Sequence, residues 1–261
     1  MTEPRLTRRH FLAASAAAGL VACSGGTKKS AASASSSSAN STLSSSPAAS
    51  TTTAPSGPAH FVATGPAGRK QVALTFHTSG DTTRFHQLVD LLASRHIVIT
   101  AFVVGQWLDA NLDLGRALHA AGHELANHTY THPSFGTLSA GDMADEVARC
   151  RAAIAKVVPG GGHYFRPSGT ADGKETPSAA VLTAAGNGGY PTVLGFDVDP
   201  LDYQDPGADA VASRTIAGLH DGAVVSMHFD HPGTITALPR ILDAIAQKGL
   251  TPVTASQLLS T

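Results

Sequence analysis

Ile97-Val98-Ile99-Thr100-Ala101-Phe102-Val103-Val104 is a short, largely apolar run set between two amphipathic stretches, Thr83 to Ser94 before it and Leu112 to Ala121 after it. Apolar runs that alternate with amphipathic helices are the pattern of parallel strands covered by crossover helices. The alternation continues in both directions. Further strands are expected at Gln71 to Phe76, Glu124 to Asn127, Tyr164 to Pro167, Val193 to Val198 and Ala223 to Phe229. Helices are expected at Ser139 to Val157, Pro177 to Ala185, Asp209 to Leu219 and Ala237 to Gln247. Ser139 suits an N-cap, and Gly122 and Gly249 suit the stops after their helices. One α/β domain over residues 61–261 fits these elements.

A chain of 261 residues, 42% hydrophobic and with a formal net charge of -1, can bury a substantial core. It lacks the clustered Lys/Arg stripe that a nucleic-acid partner requires. The N-terminus reads separately. Arg8-Arg9-His10-Phe11-Leu12 opens an apolar segment to Ala22 that is too short to span a membrane. It resembles a twin-arginine export signal, and Leu20-Val21-Ala22-Cys23 resembles a bacterial lipobox in which Cys23 is lipidated. Residues 1–23 are therefore expected to export the protein from the cytoplasm and leave it attached to the membrane by a lipid anchor only. Residues 24–60 are Ser-, Ala-, Thr- and Pro-rich, the composition of a flexible tether. Cys150, the other cysteine, falls in an apolar-periodic helix and is expected to be buried and without chemistry.

Polar residues gather where the expected strands end: His77 to Asp81, His128 and His132, Arg166, Asp199 with Asp202 and Tyr203, and His228 with Asp230 and His231. In a parallel barrel the C-terminal strand ends build the site, so these separated groups should converge. His128 and His132 are four residues apart. On a helical turn that spacing puts both rings on one face, able to bind a single divalent ion. Such a site needs a further protein ligand from elsewhere.

Taken in order, Leu74-Thr75-Phe76, His128-Thr129-Tyr130-Thr131-His132, Phe165-Arg166-Pro167, Asp199-Pro200-Leu201-Asp202-Tyr203 and Ser226-Met227-His228 resemble the polysaccharide deacetylases of carbohydrate esterase family 4. The resemblance runs from about residue 70 to the end, with Ala101 to Gly105, Gly122-His123-Glu124 and Gly249 to Thr254 as supporting pieces. It implies a distorted (β/α)7 barrel and metal-assisted hydrolysis of acetyl groups on a polymeric sugar. His128 and His132 would be ligands of zinc or a similar divalent ion, and His228 the general acid, tuned by Asp202. Arg166 would orient the base, and Tyr203 and Pro167 would lie against the sugar. An imidazole suits acid duty because its unperturbed pKa lies near 6.5.

The first block departs from the family pattern. Where the family reads Thr-Phe-Asp-Asp-Gly, this chain reads Thr75-Phe76-His77-Thr78-Ser79-Gly80. His77 stands in the slot of the catalytic base and Thr78 in that of the third metal ligand. A neutral imidazole at 77 can still accept a proton, or it can be a metal ligand. Asp81, the nearest carboxylate, is the expected third ligand if the Ser79-Gly80 turn is tight. Two functions follow: an extracytoplasmic deacetylase acting on peptidoglycan or a chitin-like polymer, or a carbohydrate-binding lipoprotein that keeps the barrel without the chemistry.

Overall fold

The structure, a computed structural model, describes residues 57–170 and 172–260. The expected signal, Cys23 and the tether up to residue 56 lie outside the described residues. The fold begins slightly before residue 61: the Ala59 amide donates to the Leu182 carbonyl, and His60 opens the first strand.

The elements are β1 (His60–Val62), β2 (Gln71–Thr78), α1 (Phe85–Ser94), β3 (Thr100–Val103), α2 (Gly105–Ala110), α3 (Leu112–Ala120), β4 (Glu124–Asn127) and α4 (Ala140–Ala155). They continue with β5 (Tyr164–Phe165), α5 (Ala179–Asn187), β6 (Thr192–Leu194), α6 (Ala208–Gly218), β7 (Val224–His228), α7 (Pro232–Gln247), β8 (Thr251–Val253) and α8 (Ala255–Leu259). Every strand pairing is parallel, in the order β1-β6-β5-β4-β3-β2-β7. The chain running on from β6 then rejoins β7. The Val198 amide donates to Val224 O at 3.1 Å, and the Ser226 amide donates to Val198 O at 2.9 Å. That bridge curls the sheet into the distorted (β/α)7 barrel. Ala73 pairs with both Val224 and Val253, so β8 lies on the edge of β2 that β3 takes over further along.

Strand pleating sorts the side chains into two layers. Val72, Leu74 and Phe76 of β2 face outward and pack with Phe85, Leu88 and Leu92 of α1 and Leu238 and Ile241 of α7. Ala73, Phe102, Ala126, Leu194 and Val224, one from each of five strands, fill the interior with Ala255 and Leu258 of α8. The α8 amides of Ala255 and Ser256 bond Thr100 and Glu124 at the starts of β3 and β4, so α8 closes the N-terminal end of the barrel. The C-terminal end is left for polar groups.

Several boundaries differ from the sequence expectation. β2 runs on through His77 and Thr78, because His77 keeps the parallel ladder to β3 and β7 and Thr78 keeps that to β3. α7 starts at Pro232 rather than Ala237, since proline with no N–H and a fixed φ suits a first helical turn. The short elements β1, β8, α2 and α8 carry too few residues to show a period. Ser139 caps α4 as expected, accepting the Asp142 amide at 3.2 Å.

Candidate active site

The register of β2 against β7 sets His77 directly beside His228, both on the inward face above Thr75 and Ser226. Their rings are bonded. His77 Nδ1 lies 3.0 Å from His228 Nε2, and His228 Nδ1 lies 2.8 Å from Asp202 Oδ1. Asp202 also accepts the His228 amide at 2.8 Å and the Thr234 hydroxyl at 2.6 Å. Burial alone would raise the Asp202 pKa, but these bonds outweigh it and hold it below the usual carboxylate value. Asp202 sits in a short 3-10 turn flanked by Leu201 and Asp205, both left-handed, which aims the carboxylate at β7.

At the other end of this chain of bonds, Arg166 Nη1 lies 3.2 Å from His77 Nε2. The guanidinium is 1% exposed and donates to Leu194 O, Gly195 O and Thr75 Oγ1, with the Phe102 ring 3.9 Å below it. None of the ion pairs among the described residues involves it. Burial pulls its pKa down to about 9, opposed by Asp199. His77 is pushed well below 6.5, first by burial and then by the charges of His128, His228 and Arg166.

His128 and His132 come together, but not on a helix. They lie in the loop after β4, where Thr129 and His132 adopt left-handed backbone at φ 67° and 61°, and their ring centroids are 5.0 Å apart. The helical-turn premise is thus corrected. Asn127 accepts the Thr129 amide, and buried Glu146 of α4 accepts the amides of Tyr130 and Thr131 at 2.7 and 2.8 Å and the Thr131 hydroxyl at 2.7 Å. These bonds fold the loop back on itself. His128 Nδ1 faces the Arg166 carbonyl at 2.9 Å, which leaves Nε2 as its lone-pair donor. Burial pushes the His128 pKa well down, so the ring is neutral.

Asp81 does not join them. Its carboxylate accepts the Thr83 amide at 2.9 Å and the Thr83 hydroxyl, capping the turn at Thr82–Arg84, and it is exposed. It does not line the cleft of about 340 Å³ that holds His77, His128, His132, Arg166, Pro167, Tyr203 and His228. Thr78 follows Phe76 on the outward face of β2, and its hydroxyl is buried without a partner. His77 has both ring nitrogens engaged. Among the described residues no three His, Cys, Asp or Glu groups are placed to hold a metal. The donors present, two neutral imidazoles, fit half of the expected divalent site.

Tyr203 stands at the rim, 47% exposed, with its ring 5.7 Å from that of His228. Sequence reading missed Glu146. Its signal was a carboxylate inside the apolar stripe Met143, Val147, Cys150 and Ile154 of α4.

Residues 64–191 match the polysaccharide deacetylase family. A chitooligosaccharide deacetylase of Rhizobium leguminosarum bv. phaseoli is 32% identical over 164 residues, 62% of this chain and 69% of that protein. The chain belongs to the polysaccharide deacetylase family. Membership places it among the deacetylase hydrolases of carbohydrate esterase family 4. A peptidoglycan-N-acetylglucosamine deacetylase of Bacillus cereus is 29% identical over 198 residues, 74% of this chain and 90% of that protein. A solved CE4-family pseudoenzyme from Bacillus anthracis shares the fold at TM-score 0.70 and 24% identity, covering 77% of this chain and 69% of its own.

Proposed function

We propose that this deacetylase removes acetyl groups from an N- or O-acetylated polysaccharide, peptidoglycan or a chitin-like polymer, outside the cytoplasm. The observation that carries the reading is His228, held from behind by buried Asp202, lining one cleft with His128 and His132. Asp202 fixes the orientation of His228 through two hydrogen bonds, which is what a proton-transferring imidazole needs. Tyr203 offers a flat, exposed ring beside that imidazole for a sugar face. Export and attachment through Cys23 rest on the twin-arginine-like and lipobox-like sequence alone. His128 and His132 are the two residues that would hold zinc or another divalent ion. A third donor is not assembled beside them among the described residues.

The test is acetate release from an N-acetylglucosamine oligomer and from an acetylated xylan. His228→Ala should lower release by about a hundredfold or more, the usual contribution of a positioned acid or base. No acetate from either substrate would sink the proposal.

A second reading, binding without turnover, is favoured by one observation: the base slot holds His77, and both its nitrogens are bonded within the protein. Calorimetric binding of the oligomer with no acetate formed would select it.

A further inference from the structure

The bonds around His77 and His228 have a fixed direction. A guanidinium carries only donors, so Arg166 Nη1 donates and His77 Nε2 accepts. A neutral imidazole has one N–H, which in His77 must then be on Nδ1. That N–H points at His228 Nε2, 3.0 Å away, so Nε2 of His228 accepts. The proton of His228 is therefore on Nδ1, where Asp202 Oδ1 accepts it at 2.8 Å. A proton on His228 Nε2 would face the N–H of His77, and His77 cannot turn its own lone pair to meet it while Arg166 donates to Nε2.

We infer that His77 is a positioning residue whose Nδ1–H occupies His228 Nε2 while Asp202 holds the Nδ1–H tautomer of His228, so that the Asp202–His228 pair enters the reaction as a base. The inference rests on the deacetylase reading for its chemical consequence but not for its geometry. On that reading, substrate and water displace the His77 N–H from Nε2. His228 Nε2 takes a proton from the water whose oxygen bonds to the acetyl carbon. The imidazolium, held by Asp202, then returns that proton to the departing nitrogen or oxygen as its bond to the acetyl carbon breaks. One proton enters and one leaves, and acetic acid and the deacetylated sugar are the products. His77 then restores its bond. One imidazole thus serves both proton transfers, and the residue in the base slot regulates it.

The experiment is nitrogen-15 NMR of histidine-labelled protein at pH 7, with the His77 signals assigned by their loss in His77→Phe. Expected are a protonated Nδ1 and an unprotonated Nε2 on both His77 and His228. A protonated Nε2 on His77 overturns the inference. Arg166→Met should leave the His228 proton on Nδ1, because Asp202 still accepts it there, and a protonated Nε2 on His228 in that variant also overturns the inference. If His77→Phe does not fold, His77→Gln serves for assignment. In acetate-release assays His77→Phe should turn over faster than wild type, and slower turnover refutes the positioning role. If no variant releases acetate while the tautomers are as stated, the deacetylase reading fails and the positioning of His228 by His77 stands.

Discussion

Replacing Glu146 with alanine should destabilise the domain by about 3 kcal/mol and loosen the loop that carries the histidine pair. The carboxylate accepts two backbone amides, at Tyr130 and Thr131, and the Thr131 hydroxyl. Hydrogen bonds to a charged group are worth about 1.5–3 kcal/mol each. Three would give about 4.5–9 kcal/mol, but Thr131 is exposed and water recovers part of that. Against this, the left-handed Thr129 and His132 store about 1–3 kcal/mol each, strain that the loop keeps only while its bonds hold it. A net loss of about 3 kcal/mol corresponds to a fall of roughly 6–12 °C in Tm for a domain of this size. Glu146→Gln, which keeps one acceptor oxygen but turns an NH2 toward the donors, should lose less. Two assays check this: calorimetric melting, and hydrogen exchange at the Tyr130 and Thr131 amides, which should become fast in Glu146→Ala. Melting within about 2 °C of wild type, with both amides still protected, would show that Glu146 does not hold this loop.

Acid should destabilise the fold earlier than carboxylate titration explains. His77, His123, His128 and His132 all have lowered pKa values, chiefly from burial, so the unfolded chain binds their protons first. Their contribution is complete above about pH 6.5 and is lost as pH falls below it. His220, raised by its bonds to Asp221 and Asp197, opposes this with a single group. The urea midpoint should be flat from pH 8 to 7 and fall from pH 6.5 to 5, and a midpoint that holds or rises over that range contradicts the linkage. Gly80→Ala should cost about 1–3 kcal/mol, because φ is +72° there and a Cβ would meet the Asp230 carboxylate. The cost should shrink when Asp230→Ala is added, and an unchanged cost in that double-mutant cycle removes the clash from the explanation. Tyr203→Ala should weaken binding of an acetylated oligosaccharide about five- to tenfold, while Tm stays within about 1 °C because the ring is half exposed. Unchanged calorimetric affinity would take Tyr203 out of the sugar site.

The barrel was legible because its strands are apolar runs bounded by helices, and Glu124 to Asn127 coincides with β4 residue for residue. The polar residues at strand ends were legible for the same reason: parallel strands deliver their C-terminal residues to one face. The route by which His128 meets His132 was not. Spacing of four suggested a helical turn, but a turn built from two left-handed residues and a remote carboxylate reaches the same end. Asp81 failed as a metal ligand because a local option won. An Asp two residues before Thr83 bonds that residue's own amide and hydroxyl at no cost in loop closure. The roles of His77 depend on which nitrogen Arg166 meets, a distance across 89 residues of sequence that no local pattern encodes.

How the chain tolerates an imidazole where the family has a carboxylate follows from the partners of Arg166. A buried cation stripped of its counter-charge ordinarily costs several kcal/mol. Here Leu194 O, Gly195 O and Thr75 Oγ1 each accept from it, at 2.9, 2.7 and 2.9 Å, and His77 Nε2 accepts at 3.2 Å. Bonds to a charged group contribute about 1.5–3 kcal/mol apiece, and a desolvated ring face such as that of Phe102 about 2. The sum is of the same order as the penalty, so carbonyl dipoles, a hydroxyl and a ring stand in for the missing anion. The barrel therefore does not depend on a carboxylate at position 77. The substitution acts on the proton inventory of the cleft, by setting a ring nitrogen of His77 3.0 Å from His228 Nε2.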